Sequence, residues 1–361
     1  MTDADQDTTP RHGMPSPRLT RGEFRRRYLL QFVDPAFDRI RDHLDEAADI
    51  AWGAYEASRK APLTRKAGPE FHDPSYDLAI DWLGAREAIA AAQQRHGAGP
   101  SRILLINASP RSEHTCPGEM SKSWRLIQLA RAAIEERQGC EIEILDLSRL
   151  ASEYGRNIYP CKACFSTAAP LCHWPCSCYP NHSLGQTHDW MNEIYPMWVA
   201  AHGVMIITPV HWYQVSSPLK LMMDRLVCAD GGNPDPTLTQ GKNARLAKEI
   251  ELKGWSYPRH LEGRAFSVVV HGDVEGAENV RRSLSDWLCF MHLVPAGTKA
   301  ELDRYIGYWK PYATSHAELD RETALQQEVA NAARALADTV AALRQGKLPR
   351  IGDDLPEPRQ K

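Results

Sequence analysis

An apolar segment that runs into a polar turn and then into a helix constrains this chain more than any other feature. Residues 103–106 read Ile-Leu-Leu-Ile, which predicts a fully buried strand, and residues 107–115 are rich in hydroxyl and amide side chains. Residues 121–138 then have the pattern of a helix. Backbone N–H groups and the positive end of the helix dipole meet at such a turn, so the segment predicts an anion site that suits a phosphate.

The same alternation of short apolar runs and helical stretches continues towards the C-terminus. The predicted strands are residues 103–107, 141–145, 204–208, 266–271 and 293–296, and the predicted helices between them are 121–138, 189–201, 216–227 and 277–292. This order is typical of a parallel sheet that is covered on both faces. Ligands of such sheets bind at the carboxyl ends of the strands.

The remaining segments predict the domain organisation. We expect a disordered tail at 1–18, an N-terminal helical extension at 19–100 with helices over 34–58 and 75–94, an α/β domain at 101–312, a C-terminal helix within 313–346, and a tail at 347–361.

Composition excludes several classes of function. The formal net charge is −3, which gives no reason to expect nucleic acid or an anionic membrane as a partner. No apolar run approaches the ~20 residues of a membrane span. The N-terminus is polar and has no hydrophobic core segment, so we expect a cytoplasmic protein rather than a secreted one.

The first loop offers side-chain donors for a phosphate. The candidates are Ser109, Arg111, Thr115, Ser121 and Ser123, with Lys122 adding charge. The loop lacks both the Gly-x-Gly-x-x-Gly pattern for a dinucleotide and the Gly-Lys-Ser/Thr of a nucleotide P-loop. It therefore suits a terminal monophosphate, and the alternative is an ordinary solvated turn.

Two further loops follow the third and fourth predicted strands. His211, Trp212 and Tyr213 come after Pro209 and suit a flat heteroaromatic ligand, unless the rings belong to the core. Gly272 permits close backbone approach, and Asp273 is placed either at the ligand or as a cap of the next helix.

These loops resemble those of the flavodoxin-like NAD(P)H-dependent FMN reductases. Residues 108–111 are similar to the family's Gly-Ser-Pro-Arg, and residues 208–212 to its Thr-Pro-x-Tyr-Trp, with His211 in place of the tyrosine. Residues 219–225 match its Leu-Lys-x-x-x-Asp-Arg. The resemblance extends from about residue 102 to 296.

The resemblance implies a flavodoxin-like three-layer αβα sandwich with a five-stranded parallel sheet. It implies FMN as cofactor, NAD(P)H as hydride donor, a quinone, a flavin or another small molecule as acceptor, and a homo-oligomer. The residues implied at the phosphate are Ser109, Arg111, Thr115, Ser121 and Ser123; those implied around the flavin ring are Pro209, Val210, His211, Trp212, Tyr213, Gly272 and Asp273.

A cluster of cysteines precedes the third predicted strand. Five thiols lie within eighteen residues, at Cys161, Cys164, Cys172, Cys176 and Cys178, with His182 nearby. Related iron–sulfur flavoproteins have a compact four-cysteine motif in this region, and this spacing matches it in part. The thiolates predict a [4Fe–4S] cluster or zinc, and the alternative is a group of buried thiols or a disulfide. Two further functions thus stay open: an FMN and iron–sulfur electron-transfer protein, and a zinc-stabilised interaction protein.

Overall fold

The computed structural model describes residues 11–116, 118–137, 139–272, 275–306 and 314–347. The chain forms two compact units. Unit 1 comprises Met1–Arg86, Tyr159–Asp189 and Gly231–Pro258, and unit 2 comprises Glu87–Ile158, Trp190–Asp230 and Arg259–Lys361. None of the helices in the described ranges is long and apolar enough to span a lipid bilayer.

The elements are numbered here in chain order. The α-helices are α1 (Arg21–Leu29), α2 (Arg41–Glu56), α3 (Ile80–Gly97), α4 (Lys122–Glu135), α5 (Arg149–Ser152), α6 (Met191–Ala200), α7 (Ser217–Arg225), α8 (Ala244–Leu252), α9 (Ala277–Phe290), α10 (Ser315–Arg321) and α11 (Thr323–Arg344). The strands are β1 (Thr64–Lys66), β2 (Asp77–Ala79), β3 (Ser101–Asn107), β4 (Cys140–Asp146), β5 (Gly203–Pro209), β6 (Ala265–Gly272), β7 (Val294–Pro295) and β8 (Glu301–Tyr305).

Unit 2 is built on a parallel sheet in the order β4-β3-β5-β6, with β7 and β8 both beside β6. β7 pairs with the start of β6, and β8 pairs with its second half. The two short strands together fill the fifth position, and β8 was not predicted. The order corresponds to the 2-1-3-4-5 arrangement of flavodoxin-like sheets, so the predicted fold is confirmed.

Helices cover both faces of this sheet, as an all-parallel sheet requires. On one face, α4 and α11 pack through apolar side chains against β3 and β5, with residues such as Ile103, Ile127 and Leu336 fully buried. On the other face, α6 meets α9 through Trp198 and Trp287, whose ring centroids lie 6.1 Å apart. The sheet edges at the strand ends are therefore where a ligand can enter.

A buried arginine closes the C-terminal end of α6. Arg264 donates hydrogen bonds to the carbonyl oxygens of Trp198 and Val199, at 3.0 and 2.7 Å. These carbonyls lack partners within the helix, and a cation at a helix C-terminus is favourable. Burial lowers the pKa of Arg264 to about 10, which leaves it charged at neutral pH.

Unit 1 gathers the N-terminal helices and two long loops. α1 packs on α2 through aromatic rings, with Phe24 and Tyr55 centroids 4.8 Å apart. The segment 159–189 contains the cysteine cluster, and the carbonyl oxygen of its Pro175 accepts a 2.8 Å hydrogen bond from the indole N–H of Trp82. The segment 231–258 contains α8, which the sequence did not predict.

The N-terminal helical extension is confirmed, with corrections to its elements. Helix α1 was not predicted from the sequence. The side chain of Thr20 caps it by accepting a hydrogen bond from the Glu23 N–H. The predicted helix over 34–58 is a 3₁₀ turn, Pro35–Ile40, followed by α2. The predicted helix over 75–94 begins only at Ile80, because residues 77–79 pair with β1 instead. Residues 1–10 and 348–361 of the predicted tails lie outside the described residues.

Gly203 at the start of β5 allows α11 to approach the sheet. A Cβ atom at this position would lie 2.6 Å from Val340 Cγ2 and 3.1 Å from Leu336 Cδ1. Val340 is β-branched and lies within a helix, so it has little rotamer freedom to move away. Close contact of α11 with the sheet thus depends on the absence of a side chain here.

We expect Gly203→Ala to destabilise the protein by about 1–3 kcal/mol through overpacking. Urea unfolding followed by circular dichroism measures the effect, and Gly203→Ala/Val340→Ala should recover part of it. Gly53→Ala is the control, because a Cβ at Gly53 within α2 meets nothing within 4 Å. A neutral Gly203→Ala would contradict the packing argument.

Candidate functional site

The predicted loops meet at one edge of the sheet in unit 2. β3 pairs with β5 up to Asn107 and Ile207, and β5 pairs with β6 up to Pro209 and His271. All three strands run in the same direction, so the segments that follow them leave the sheet side by side.

A cleft of about 650 Å³ lies at this edge and is called the inner cavity here. It brings together eight of the predicted residues: Ser109, Arg111, Ser121, Ser123, Pro209, Val210, His211 and Gly272. Lys122, His271 and Ile306 complete its lining. The first and second loops thus contribute to one site.

The first loop offers hydroxyls at the N-terminus of α4. Ser121 caps the helix by accepting a hydrogen bond from the Trp124 N–H at 3.1 Å, and Ser123 is fully buried. Ser109 Oγ accepts a hydrogen bond from the Arg111 N–H at 3.2 Å, which shapes the turn. Lys122 adds a buried ammonium group to this end of the cavity.

Thr115 has a different position from the one predicted. Its hydroxyl donates to the carbonyl oxygen of Ser112 at 2.8 Å and accepts from the Ser112 N–H at 3.0 Å. Thr115 lines neither of the two cavities described here. Its hydroxyl holds the loop rather than facing the inner cavity.

Arg111 is held by an acidic side chain. Its Nη2 lies 2.9 Å from Glu119 Oε2, and Glu119 Oε1 lies 3.7 Å from His316 Nε2. A guanidinium in this position presents a rigid set of donors, which suits phosphate oxygens.

His271, which was not predicted, lies at the buried end of the inner cavity. Its Nε2 is 2.7 Å from Ser123 Oγ. Burial, together with the charges of Lys122 and His211, lowers the pKa of His271 to about 3, so the imidazole is neutral at physiological pH. The sequence signal for this residue is a histidine directly after the apolar run 268–270.

The second loop turns more tightly than expected. His211 and Gln214 exchange two backbone hydrogen bonds, of 2.8 and 2.9 Å, across a turn whose central residues are Trp212 and Tyr213. Both have left-handed backbone conformations, with φ of +49° and +66°. The side chain of Trp212 is 94% exposed and that of Tyr213 62%.

Because of this turn, the structure places the side chains of Trp212 and Tyr213 outside the lining of the inner cavity. Neither lines the inner cavity, and neither belongs to the core. The left-handed turn exposes both rings to solvent, and their contact with the ligand ring stays a prediction. Tyr213 rests instead on Gly276, where a Cβ would lie 3.2 Å from Tyr213 Cα. Asp273 lies outside the described residues.

A second cavity of about 470 Å³, called the outer cavity here, adjoins the first. The two share Arg111 and Ser121. The outer cavity reaches the end of β4, where Asp146 follows the apolar Leu145. No site residue was predicted at this strand end.

The thiols lie in unit 1. Cys164 is hydrogen-bonded to the thiols of Cys172 and Cys178, and Lys242 Nζ lies 3.5 Å from Cys164 Sγ. The hydrogen bond with Cys172 is the largest cause that raises the pKa of Cys164. Cys172, Cys176 and Cys178 are buried.

The described residues do not support the metal prediction. No three His, Cys, Asp or Glu side chains in the described ranges are arranged to hold a metal ion. Cys161 Sγ accepts a hydrogen bond from the Ala163 N–H at 3.4 Å, and Nε2 of the nearby His182 lies 3.3 Å from Asp81 Oδ2. An iron–sulfur cluster or zinc at these thiols stays a prediction from the sequence.

Comparisons with known proteins match the part of the chain that contains the parallel sheet. The family model for NADPH-dependent FMN reductase matches residues 101–304. No curated protein sequence matches the chain.

Solved structures give low sequence identity. A structure of RosB with bound 8-demethyl-8-formylriboflavin-5'-phosphate is 13% identical, with TM-score 0.46, and the match covers 72% of this chain and 95% of that one. An oxidoreductase from Corynebacterium diphtheriae is 14% identical, with TM-score 0.38 and coverage of 68% and 98%. An FMN-dependent NADH-azoreductase from Bacillus anthracis, in complex with FMN, is 16% identical, with TM-score 0.36 and coverage of 66% and 100%.

We expect the buried histidine to make stability depend on pH. The pKa of His271 is about 3 in the folded protein and ordinary in the unfolded chain, so the unfolded state binds the extra proton as pH falls below about 6.5. Stability from this group is present above that pH and is lost towards pH 3.

Between pH 7 and pH 5, the free energy of unfolding should therefore fall by about 1–2 kcal/mol less in His271→Asn than in the parent protein. Urea unfolding at the two pH values measures the difference, with the exposed His114→Asn as control. Equal pH dependence in parent and His271→Asn would rule out a neutral buried imidazole.

Backbone strain at the second loop gives another expectation. Replacing Trp212 by Asn, which tolerates the left-handed region, should stabilise the protein by about 0.5–1 kcal/mol. Thermal unfolding of Trp212→Asn tests this. Tyr154→Asn is the matched control, since Tyr154 is fully exposed but outside the left-handed region. A similar change in both variants would mean that loss of an exposed ring, not strain, is responsible.

Proposed function

This chain belongs to the NADPH-dependent FMN reductase family, and we propose from that premise that it is an FMN-dependent oxidoreductase. In this proposal the flavin binds in the inner cavity, and a reduced nicotinamide nucleotide is the electron donor. The observation that carries the proposal is the composition of the inner cavity. The loop after β3 and the start of α4 contribute hydroxyls and cations, the loops after β5 and β6 contribute apolar groups and glycine, and none of the described residues that line the cavity is acidic.

The polar end fits a terminal phosphate. Ser109, Ser121 and Ser123 supply hydroxyl donors at the N-terminus of α4, and Arg111 and Lys122 supply positive charge. A phosphate dianion needs such compensation because burial of an unpaired charge is costly. Neutral His271 fixes the Ser123 hydroxyl through their 2.7 Å contact without adding or removing charge.

The other end fits a flat ring system. Pro209 and Val210 offer apolar surface, and Gly272 leaves the backbone of β6 open to close approach. His211 stands at the same side of the cavity in place of the tyrosine that the family motif carries. These groups position a ring and exclude water from it.

The protein's part in the reaction is therefore placement and electrostatics. When bound, FMN supplies the hydride and electron chemistry, from the nicotinamide donor to the acceptor. We propose a small-molecule acceptor, such as a quinone or a free flavin. The homo-oligomer that the family resemblance implies belongs to the same proposal.

The decisive experiment is a visible spectrum of the purified protein, followed by anaerobic addition of NADH or NADPH. We expect flavin absorbance after incubation with FMN and its bleaching by one of the donors. Failure to bind FMN, or flavin bands that persist under both donors, would overturn the proposal. Iron analysis of the same sample tests the electron-transfer alternative.

Removal of the phosphate contacts should weaken FMN binding selectively. We expect Ser109→Ala and Arg111→Ala each to lower FMN affinity by about 10- to 100-fold, as for hydrogen bonds to a charged group. Fluorescence titration with FMN measures the change. Riboflavin, which lacks the phosphate, should bind the parent and both variants equally.

Arg149→Ala provides the matched arginine control, because Arg149 lies on α5 and lines neither cavity. If the variants weaken riboflavin as much as FMN, the hydroxyls and the guanidinium do not hold a phosphate.

A further inference from the structure

The two cavities at the sheet edge differ in charge. The inner cavity has Arg111 and Lys122 and no acidic residue among its described lining, whereas the outer cavity also contains Asp146 and Glu113. A phosphate dianion is therefore favoured in the inner cavity. The outer cavity is better suited to a neutral, hydroxyl-rich group.

Asp146 has one oxygen in use and one available. Its Oδ1 accepts hydrogen bonds from Asn107 Nδ2 at 2.7 Å and from the Ser148 N–H at 3.1 Å. Its Oδ2 accepts no hydrogen bond from the residues that the structure describes. The two donors fix the carboxylate, so its second oxygen has a defined position, and Asp146 lines the outer cavity.

We propose that the outer cavity binds the adenosine ribose of the nicotinamide donor, with Asp146 accepting hydrogen bonds from the ribose diol, and that this chain consequently prefers NADH to NADPH. The inference rests on the proposed function and adds the donor's specificity to it. In dinucleotide-binding α/β folds, an acidic side chain at a comparable place holds the 2'-hydroxyl of NAD. In this chain the comparable place is the end of β4, which pairs with β3, the strand that leads into the loop of Ser109 and Arg111.

The surroundings of Asp146 are consistent with an adenosine group. Trp124 and Met120 give the cavity apolar surface for a purine. Arg111 and Ser121 belong to both cavities, so a donor seated here adjoins the FMN phosphate end.

A 2'-phosphate would be disfavoured in the same place. It would bring a second dianion next to the carboxylates of Asp146 and Glu113, and like charges at short distance repel. Arg111 does not offset this, because in our proposal its charge compensates the FMN phosphate in the inner cavity.

The test compares three donors on Asp146→Asn: NADH, NADPH and reduced nicotinamide mononucleotide, which lacks adenosine. The carboxamide oxygen of Asp146→Asn can still accept from Asn107 and Ser148, so the fold should persist; circular dichroism checks this. We expect kcat/KM for NADH to fall about tenfold, the NADPH-to-NADH ratio to rise about tenfold, and kcat/KM for the mononucleotide to stay unchanged.

Glu143→Gln is the matched control. Glu143 is an exposed carboxylate on the same strand and does not line the outer cavity. Its variant should leave all three kcat/KM values unchanged.

Three results would overturn the inference. They are a parent protein that prefers NADPH, an unchanged NADPH-to-NADH ratio in Asp146→Asn, and an equal loss with the mononucleotide. Failure of the proposed function would look different, since no donor would then reduce bound flavin. Titration of the parent and of Asp146→Asn with ADP-ribose by calorimetry still tests the cavity in that case, with tighter binding expected for the parent.

Discussion

Parallel pairing of β3, β5 and β6 is the constraint on which the site depends. The sheet satisfies the backbone hydrogen bonds of these strands, and helices cover both of its faces. Free N–H groups, hydroxyls and charges are then concentrated where the strands end. The inner and outer cavities are two parts of that single edge, and the loop from β3 to α4 contributes to both.

The loop after β3 is therefore the element that joins cofactor and donor in our proposal. Arg111 lies in both cavities and has Glu119 as its partner. Ser121 has a backbone role as the cap of α4 and a place in both linings. Residues that serve the fold and the ligand together leave little freedom for substitution at this turn.

Much of unit 2 could be predicted from local pattern, because buried parallel strands are apolar runs and each is followed by a polar break. The predicted strand at 266–271 lies within β6, and α11 lies within the segment 313–346 in which a C-terminal helix was predicted. β8 was missed because it reads Glu-Leu-Asp-Arg-Tyr, and it pairs only along the second half of β6.

For the site, the sequence predicts which residues lie in the loops but not where their side chains point. Spacing along the chain shows which loop a residue belongs to, but the direction of its side chain depends on backbone angles that spacing does not reveal. Trp212 is adjacent to His211, which lines the inner cavity, and yet a left-handed turn sends it to solvent. Asp146 belongs to the outer cavity through the pairing of β4 with β3, a contact between residues far apart in sequence.

The contact between α11 and Gly203 has a consequence for synthesis of the protein. One face of the central sheet is covered by α11, which follows every described strand of that sheet along the chain. While the ribosome is still producing that helix, strands that are already complete expose an apolar surface. The nascent chain is then vulnerable to aggregation until α11 has emerged from the ribosome.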